Sequence, residues 1–106
     1  MISAGSAEPI LAETIWFVYI VSCRDKTLYT GITNDPKRRL QEHNSTGNGA
    51  KYTRGRRPVT LVYLESCPSR SAASKREHSI KRMSVARKNQ LACSQAAHQL
   101  LADISR

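Results

Sequence analysis

Four residues in the first half of this chain have side chains suited to chemistry on a phosphate ester. Tyr19 and Tyr29 are ten positions apart, and Arg39 and His43 follow at a spacing of four. A guanidinium binds phosphate oxygens through parallel hydrogen bonds. An imidazole, whose ordinary pKa is about 6.5, accepts or relays protons near neutral pH. Two phenols, a guanidinium and an imidazole facing one point would therefore suit the handling of a phosphodiester.

The elements that must bring these groups together can be predicted from local patterns. Aromatic and β-branched residues predict a strand over Trp16–Val21 and a second over Leu28–Thr33. The five-residue polar connection between them favours an antiparallel hairpin. Asp35-Pro36 then has the pattern of a helix start, and this helix should run to about Asn44. Residues four apart share a helical face, so Arg39 and His43 should point the same way.

The second half of the chain predicts one more strand and two more helices. A loop rich in Gly, Asn and Arg spans Ser45–Arg57 and precedes a strand over Val59–Glu65. Start and stop patterns then predict two helices. The first is capped by Ser69 or Ser71 and reaches about Met83, and the second runs from Val85 to about Leu91. The order β-β-α-β-α-α predicts a single small α/β domain, with a three-stranded, mainly antiparallel sheet flanked by helices. We expect a flexible leader over 1–13, the folded domain over 14–92 and a helical extension over 93–106.

Gly31 shares a strand face with Tyr29. Glycine inside a strand often marks the close approach of a ligand or of another backbone. We therefore expect an accessible phenol beside Gly31 and include that glycine in a DNA-binding surface. The alternatives stay open: both tyrosines are also compatible with ordinary packing against a helix, and Arg39 and His43 with a solvated helix surface.

Glu77 is the acid most suggestive of a metal site. The apolar stripe of the second predicted helix consists of Ala73, Ile80 and Met83, and Glu77 falls between its members. A carboxylate buried there needs a partner. Mg²⁺ commonly binds through one or two carboxylates together with substrate phosphate and water. The alternative is an ion pair within the helix, with Lys81 four residues on.

Positive charge is concentrated in one part of the chain. The net charge is +9, and residues 51–90 carry eleven Lys or Arg against two acids, which accounts for the whole excess. Clustered cations favour a nucleic-acid partner over a merely solvated surface. Basic residues interleaved with an aromatic ring suit single-stranded DNA, although a solvated loop has the same composition. Around Tyr52 these residues are Lys51, Arg54, Arg56 and Arg57, and the second helix adds Arg76 and Lys81.

Cysteine usage and hydropathy favour a cytoplasmic protein. Cys23, Cys67 and Cys93 are far apart and form no Cys-x-x-Cys pair, so neither a zinc site nor a disulfide framework is expected. The N-terminal residues lack the pattern of a secretory signal. The longest apolar run, Ile15–Val21, is too short to cross a bilayer. We expect no membrane association and no small-molecule cofactor.

Several of these residues also match a known pattern in order and spacing. Phe17-Val18-Tyr19, Tyr29-Thr30-Gly31, Arg39, His43 and Glu77 resemble the GIY-YIG nuclease superfamily. The resemblance covers roughly residues 16–92 and is nearest to the small standalone bacterial (UPF0213-like) branch. Phe17, Val18 and Thr30 depart from the motif's glycine and two isoleucines, and none of these changes removes a functional side chain.

The resemblance implies metal-dependent hydrolysis of one DNA strand. Tyr19 and Tyr29 would activate or position water, with His43 as a base or proton relay. Arg39 would stabilise the phosphoryl group, and Glu77 would hold one divalent ion, Mg²⁺ or Mn²⁺. A phenol with a pKa of about 10 is a poor base at neutral pH, so a metal-bound hydroxide or a nearby cation must assist.

We expect an endonuclease that prefers single-stranded DNA, because the basic loop suits a single strand and a bare domain has little with which to clasp a duplex. Three alternatives remain open. The first is a nuclease for flaps or junctions, and the second is a DNA-binding module without catalysis. The third is a purely structural interaction domain, which would show no salt-dependent affinity for DNA.

Overall fold

A three-stranded antiparallel sheet forms the centre of the molecule. The computed structural model describes residues 15–45 and 49–94. Within them, the strands β1 (Trp16–Ser22), β2 (Leu28–Thr33) and β3 (Thr60–Cys67) are arranged in the order β2-β1-β3. The predicted leader over 1–13 lies outside the described residues, as does the predicted extension over 93–106 except for its first two positions.

The helices begin where short polar side chains can cap them. Asp35, Ser69 and Ser84 each accept a hydrogen bond from the backbone N–H three residues on, which satisfies a donor that the first turn leaves free. The helices are α1 (Pro36–Asn44), α2 (Arg70–Lys81) and α3 (Val85–Ala92). The predicted fold class and the order β-β-α-β-α-α are therefore confirmed.

Several predicted elements differ in extent from those in the structure. The third strand starts one residue later than predicted and continues to Cys67, because Ser66 and Cys67 still pair with the start of β1. Helix α2 ends at Lys81 rather than near Met83. The predicted loop Ser45–Arg57 contains a 3-10 helix over Lys51–Arg56.

The two faces of the sheet are covered by different helices. On one face, α2 and α3 pack on a core of Val18, Ile20, Tyr63, Cys67, Ala73 and Ile80. On the other, α1 contributes Leu40 to a cluster built around Tyr19, Val21, Cys23, Val59 and Leu64. The central strand is consequently buried on both sides, as its apolar sequence predicts.

A side-chain amide fixes α1 to the sheet. Asn44, the last residue of α1, donates to the Val59 carbonyl (3.1 Å) and accepts from the Val59 N–H (2.7 Å). This pair satisfies both backbone groups of Val59 just before β3 begins, so the C-terminal end of α1 has a defined position beside the sheet. Across residues 15–45 and 49–94, no helix has both the length and the apolarity that a membrane span requires.

Candidate active site

Tyr19 is at the centre of the sheet face that α1 covers. Its Cα pairs with that of Gly31 on β2, and only 3% of the residue is exposed. A Cβ atom placed on Gly31 would lie 2.5 Å from the Tyr19 hydroxyl oxygen and 2.7 Å from Cζ. The space above Gly31 is thus filled by the phenol of Tyr19. The expectation that Gly31 gives a ligand close access is therefore wrong, and its place in a DNA-binding surface stays a prediction.

His43 is hydrogen-bonded to the Tyr19 hydroxyl. The imidazole is fully buried, and its Nε2 lies 2.7 Å from the Tyr19 oxygen. Its other nitrogen, Nδ1, is 3.0 Å from the hydroxyl oxygen of Thr53, which itself donates to the Ala50 carbonyl at 3.0 Å. Since the Thr53 proton is engaged with that carbonyl, Nδ1 must carry the proton that Thr53 accepts. Nε2 is then the acceptor for the Tyr19 hydroxyl, and a solvated surface position for His43 is excluded.

Burial sets the protonation states of this pair. Burial, assisted by the positive charge of Arg39, lowers the pKa of His43 to about 4. Burial also raises the pKa of Tyr19 to about 12, against the lowering effect of a hydrogen bond with Arg39. At neutral pH the imidazole is therefore neutral and the phenol protonated. In this state Tyr19 donates a hydrogen bond and His43 accepts it.

Arg39 contacts the same phenol from α1. It hydrogen-bonds Tyr19 and forms an ion pair with Glu42, whose Oε1 is 2.9 Å from Nη1. The side chain is about a quarter exposed. The guanidinium therefore contacts both the phenol and a carboxylate on this side of the sheet.

Tyr29 completes an aromatic cluster on this face. Its ring centroid is 6.4 Å from that of Tyr19 and 5.4 Å from that of His43, which meets it edge to face. Tyr29 also lies near-parallel to Tyr52, with the two ring centroids 5.8 Å apart. The two predicted phenols and the predicted imidazole are thus in mutual contact.

Glu77 extends from α2 toward this cluster. Its negative charge contributes to the raised pKa of Tyr19, which places the carboxylate within electrostatic range of that phenol. Lys81, whose Nζ is 3.2 Å from Glu77 Oε2, also lies 5.9 Å from the Tyr29 ring centroid. Of the two possibilities left open for Glu77, the ion pair with Lys81 is present, and the residue is partly exposed rather than buried. Metal ligation by Glu77 stays a prediction, and its link to the tyrosines consists of its charge effect on Tyr19 and the contact of Lys81 with Tyr29.

Glu77 is the carboxylate that could serve as a ligand for a hard divalent cation. Mg²⁺ commonly binds through one or two carboxylates together with phosphate and water. Among residues 15–45 and 49–94, no group of three or more His, Cys, Asp or Glu could hold an ion by itself. A cation at Glu77 would therefore need further ligands from substrate phosphate and water.

The predicted DNA-binding cations divide into two sets. Lys51 and Arg54 are exposed on the 3-10 helix. The others have partners within the protein: Arg56 pairs with Asp25, Arg57 donates to the carbonyls of Ser45 and Arg54, Arg76 pairs with Glu65, and Lys81 pairs with Glu77. Contact of these four with DNA would have to compete with the internal bonds.

Thr53 is the site residue that sequence reasoning missed. It is fully buried and determines which nitrogen of His43 carries the proton. The residue stands among basic neighbours in what reads as a loop, so neither its type nor its spacing indicates this role. Only the 3-10 helix places it beneath the imidazole.

The fold and the cluster define a small α/β domain whose polar site is equipped for phosphate ester chemistry. Residues 15–90 match the model of the GIY-YIG catalytic domain. The chain therefore belongs to the GIY-YIG family, which confirms the resemblance seen in its sequence. A domain of this family indicates a nuclease with DNA as its substrate, and such nucleases generally use divalent metal ions.

Relatives place the chain within one branch of that family. It is 63% identical over 76 residues to the UPF0213 protein DP2720 of Desulfotalea psychrophila, an overlap covering 72% of this chain and 69% of the relative. It is 58% identical to the UPF0213 protein HQ_3675A of Haloquadratum walsbyi, covering 72% and 84%. The solution NMR structure of the protein EF2693 from E. faecalis is similar, with a TM-score of 0.50 and 40% identity, covering 72% and 80%. These names specify no reaction.

Proposed function

We propose that this protein is a metal-dependent endodeoxyribonuclease that hydrolyses phosphodiester bonds, with single-stranded DNA as its preferred substrate. The observation that carries the proposal is the hydrogen bond from the Tyr19 hydroxyl to Nε2 of His43. A phenol alone is too weak a base to activate water at neutral pH. A phenol that can pass its proton to a neutral imidazole is able to accept one from water in the same step.

The proton route follows from the tautomer of His43. Water gives a proton to the Tyr19 oxygen as its own oxygen bonds to phosphorus, and Tyr19 gives its proton to Nε2. The bond between phosphorus and the departing deoxyribose oxygen breaks, and that oxygen takes a proton from solvent. His43 then returns its proton, through Tyr19, to bulk water. Thr53 keeps Nδ1 protonated, so Nε2 stays available in each cycle.

Arg39 and Tyr29 act on the phosphoryl group. The Arg39 guanidinium, which is about a quarter exposed, binds the non-bridging oxygens, where negative charge accumulates as water attacks. Tyr29 is half-buried beside the same cluster and positions the attacking water or the phosphate. Both roles rest on the closeness of these side chains to Tyr19.

Glu77 is the proposed ligand for one divalent ion, Mg²⁺ or Mn²⁺. When bound, such an ion would supply Lewis-acid stabilisation of charge on the phosphoryl oxygens. Glu77 also orients Lys81, whose ammonium lies toward Tyr29.

Exposed cations beside an aromatic ring support the preference for a single strand. Lys51 and Arg54 are exposed next to Tyr52, whose residue is 38% exposed. Charges that follow a backbone beside an aromatic ring suit single-stranded DNA. The free thiols of Cys23, Cys67 and Cys93 support a cytoplasmic setting.

The proposal is tested by incubating the purified protein with labelled single-stranded, duplex and flap DNA, each with Mg²⁺, Mn²⁺ or a chelator. We expect internal cleavage of the single strand with metal and none with chelator. Preferential cutting at the flap would assign a structure-specific nuclease instead. Salt-dependent binding without cleavage in any condition would assign a DNA-binding module.

Variants of Tyr29 and Glu77, compared with a tyrosine control, separate catalysis from DNA binding. Tyr29→Phe and Glu77→Ala should lower the cleavage rate by about 10²-fold or more while leaving DNA affinity largely intact. Tyr63→Phe is the control, because its hydroxyl lies on the opposite face and donates to Glu65. Equal rates in all three variants would reject the assigned roles.

A further inference from the structure

The 3-10 helix over Lys51–Arg56 contacts two members of the proposed active site with consecutive residues. Thr53 bonds His43, and Tyr52 lies near-parallel to Tyr29, with ring centroids 5.8 Å apart and an interplanar angle of 25°. This short element therefore supports both the imidazole and the second phenol. The contact made by Thr53 is polar and directional, whereas the contact made by Tyr52 is a stacked ring.

The ring of Tyr52 is itself held in place. The guanidinium of Arg56 covers it, with Cζ 4.2 Å from the ring centroid, and donates to the Tyr52 carbonyl at 2.7 Å. The same guanidinium is anchored from outside the helix, since its Nε lies 3.1 Å from Oδ2 of Asp25. Tyr52 thus lies between a fixed cation and Tyr29, although more than a third of the residue remains open to solvent.

Asp25 belongs to the turn that joins β1 to β2. Its carboxylate accepts from the Thr27 N–H (3.1 Å) and hydroxyl (2.6 Å), and these bonds hold its pKa below the ordinary value. In the same turn the Arg24 N–H donates to the Arg56 carbonyl at 2.8 Å. The hairpin of β1 and β2, which carries Tyr19 and Tyr29, is therefore joined by a hydrogen bond and an ion pair to the 3-10 helix that carries Tyr52.

We propose that Tyr52 is a positioning residue for Tyr29, and that the ion pair between Asp25 and Arg56 clamps it there. The proposal rests on the function proposed above and adds a role that a base-stacking surface does not require. The Tyr29 ring is contacted at its centroid by Lys81 at 5.9 Å and by the rings of Tyr19, His43 and Tyr52. Tyr52 is the ring that lies near-parallel to Tyr29, whereas Tyr19 and His43 meet it at 48° and 65°. We assign the control of the tilt of Tyr29 to this stacked contact.

Positioning and base stacking affect different kinetic constants. A residue that only stacks a nucleobase changes DNA affinity and leaves the rate at saturating DNA unaltered. A residue that orients Tyr29 changes the rate at saturation, because a misplacement of about 1 Å costs up to about 10²-fold in rate. The aliphatic variant Tyr52→Leu removes the ring, and Tyr52→Phe restores the ring without its hydroxyl.

The experiment measures single-turnover cleavage of a labelled single strand at saturating enzyme, together with the Kd from fluorescence anisotropy. We expect Tyr52→Leu to lower the rate at saturating enzyme by about tenfold or more, whatever the change in Kd, and Tyr52→Phe to recover most of the rate. Asp25→Asn should lower the rate in the same direction by a smaller factor. Weaker binding by Tyr52→Leu with an unchanged rate at saturation would overturn the proposal.

A second measurement does not depend on cleavage. The chain has four tyrosines, so ring signals of protein with ¹³C-labelled tyrosine can be assigned by substitution. We expect the Tyr29 ring signals to shift in Tyr52→Leu and in Asp25→Asn, while those of Tyr63 stay in place. Unchanged Tyr29 signals in Tyr52→Leu would overturn the proposal. If the wild-type protein cut no DNA at all, the proposed function would fail separately, and these signals would still test the clamp.

Discussion

The backbone of Gly31 lies directly beneath the phenol of Tyr19. The two residues are Cα partners in the pairing of β1 with β2, and a methyl group on Gly31 would meet the phenol oxygen at 2.5 Å. That oxygen is also the donor to His43. A single missing side chain on the neighbouring strand thus allows the central hydrogen bond of the site to form.

Gly31→Ala should damage both stability and activity. The added Cβ forces the Tyr19 ring away from His43, and overpacking of this kind costs about 1–3 kcal/mol. We expect a lower free energy of unfolding in urea and a loss of cleavage. Gly55→Ala is the matched control, because nothing lies within 4 Å of the Cβ position there. Wild-type stability in Gly31→Ala would show that the phenol can move aside without cost.

Local signals determine much of this fold. Asp35 caps α1, and Ser69, one of the two serines predicted for this role, caps α2, because a cap depends on residues within one turn. Gly31 shows the limit of such reasoning. A glycine in a strand predicts that something comes close, but only the register of the two strands determines that this is the ring of Tyr19.

The supporting contacts of the site depend on pairings that are distant in sequence. Asp25 and Arg56 are 31 positions apart, and Tyr29 and Tyr52 are separated by α1. A composition rich in Gly and Arg predicts a loop, so the 3-10 helix and the role of Thr53 are not visible in the sequence. The chemistry-bearing side chains are predictable from their types, whereas the residues that orient them are not.

His43 should give the cleavage rate an unusual pH dependence. An exposed imidazole would lose half of its neutral form near pH 6.5, whereas burial lowers the pKa of His43 to about 4. Since the neutral form accepts the proton of Tyr19, the rate should stay level from pH 7 to about 5 and fall near 4. A pH–rate profile with half-loss near 6.5 would contradict this.

The lowered pKa of His43 also predicts how the free energy of unfolding depends on pH. Between about pH 6.5 and 4 the unfolded chain takes up a proton at His43 that the folded chain does not, so stability falls as pH falls. The loss is at most about 1.4 kcal/mol per pH unit and stops below about 4. Urea unfolding of wild type and His43→Gln across this range isolates the effect, since other groups titrate alike in both.

Thr53→Ala should change the tautomer of His43. Without the Thr53 hydroxyl, the Nδ1 proton has no acceptor at that position and a buried donor is left unsatisfied, at a cost of about 1–3 kcal/mol. A proton on Nε2 instead would remove the acceptor for Tyr19. We expect ¹⁵N spectra to show an altered tautomer and the cleavage rate to drop. Thr53→Ser keeps the hydroxyl and should keep both properties.

Lys51 and Arg54 should set the salt dependence of DNA binding. Each exposed cation that neutralises a phosphate contributes about one unit to the slope of log K against log salt concentration. Lys51→Ala and Arg54→Ala should each weaken binding for all sequences alike and reduce that slope. Arg87→Ala on α3, the helix on the opposite sheet face, is the control. Slopes equal to that of wild type would exclude both residues from the DNA-binding surface.

Glu77 and Lys81 make the metal assignment testable without DNA cleavage. Glu77→Gln removes the anionic ligand while keeping its shape, so calorimetric titration with Mn²⁺ in the presence of a single-stranded oligonucleotide should show lost affinity. Lys81→Met removes an ammonium that lies 3.2 Å from the same carboxylate and competes with a cation for it. Mn²⁺ affinity in Lys81→Met should therefore equal or exceed that of wild type. Retained Mn²⁺ affinity in Glu77→Gln would mean that the carboxylate serves only its ion pair with Lys81, and that any metal is held by other groups.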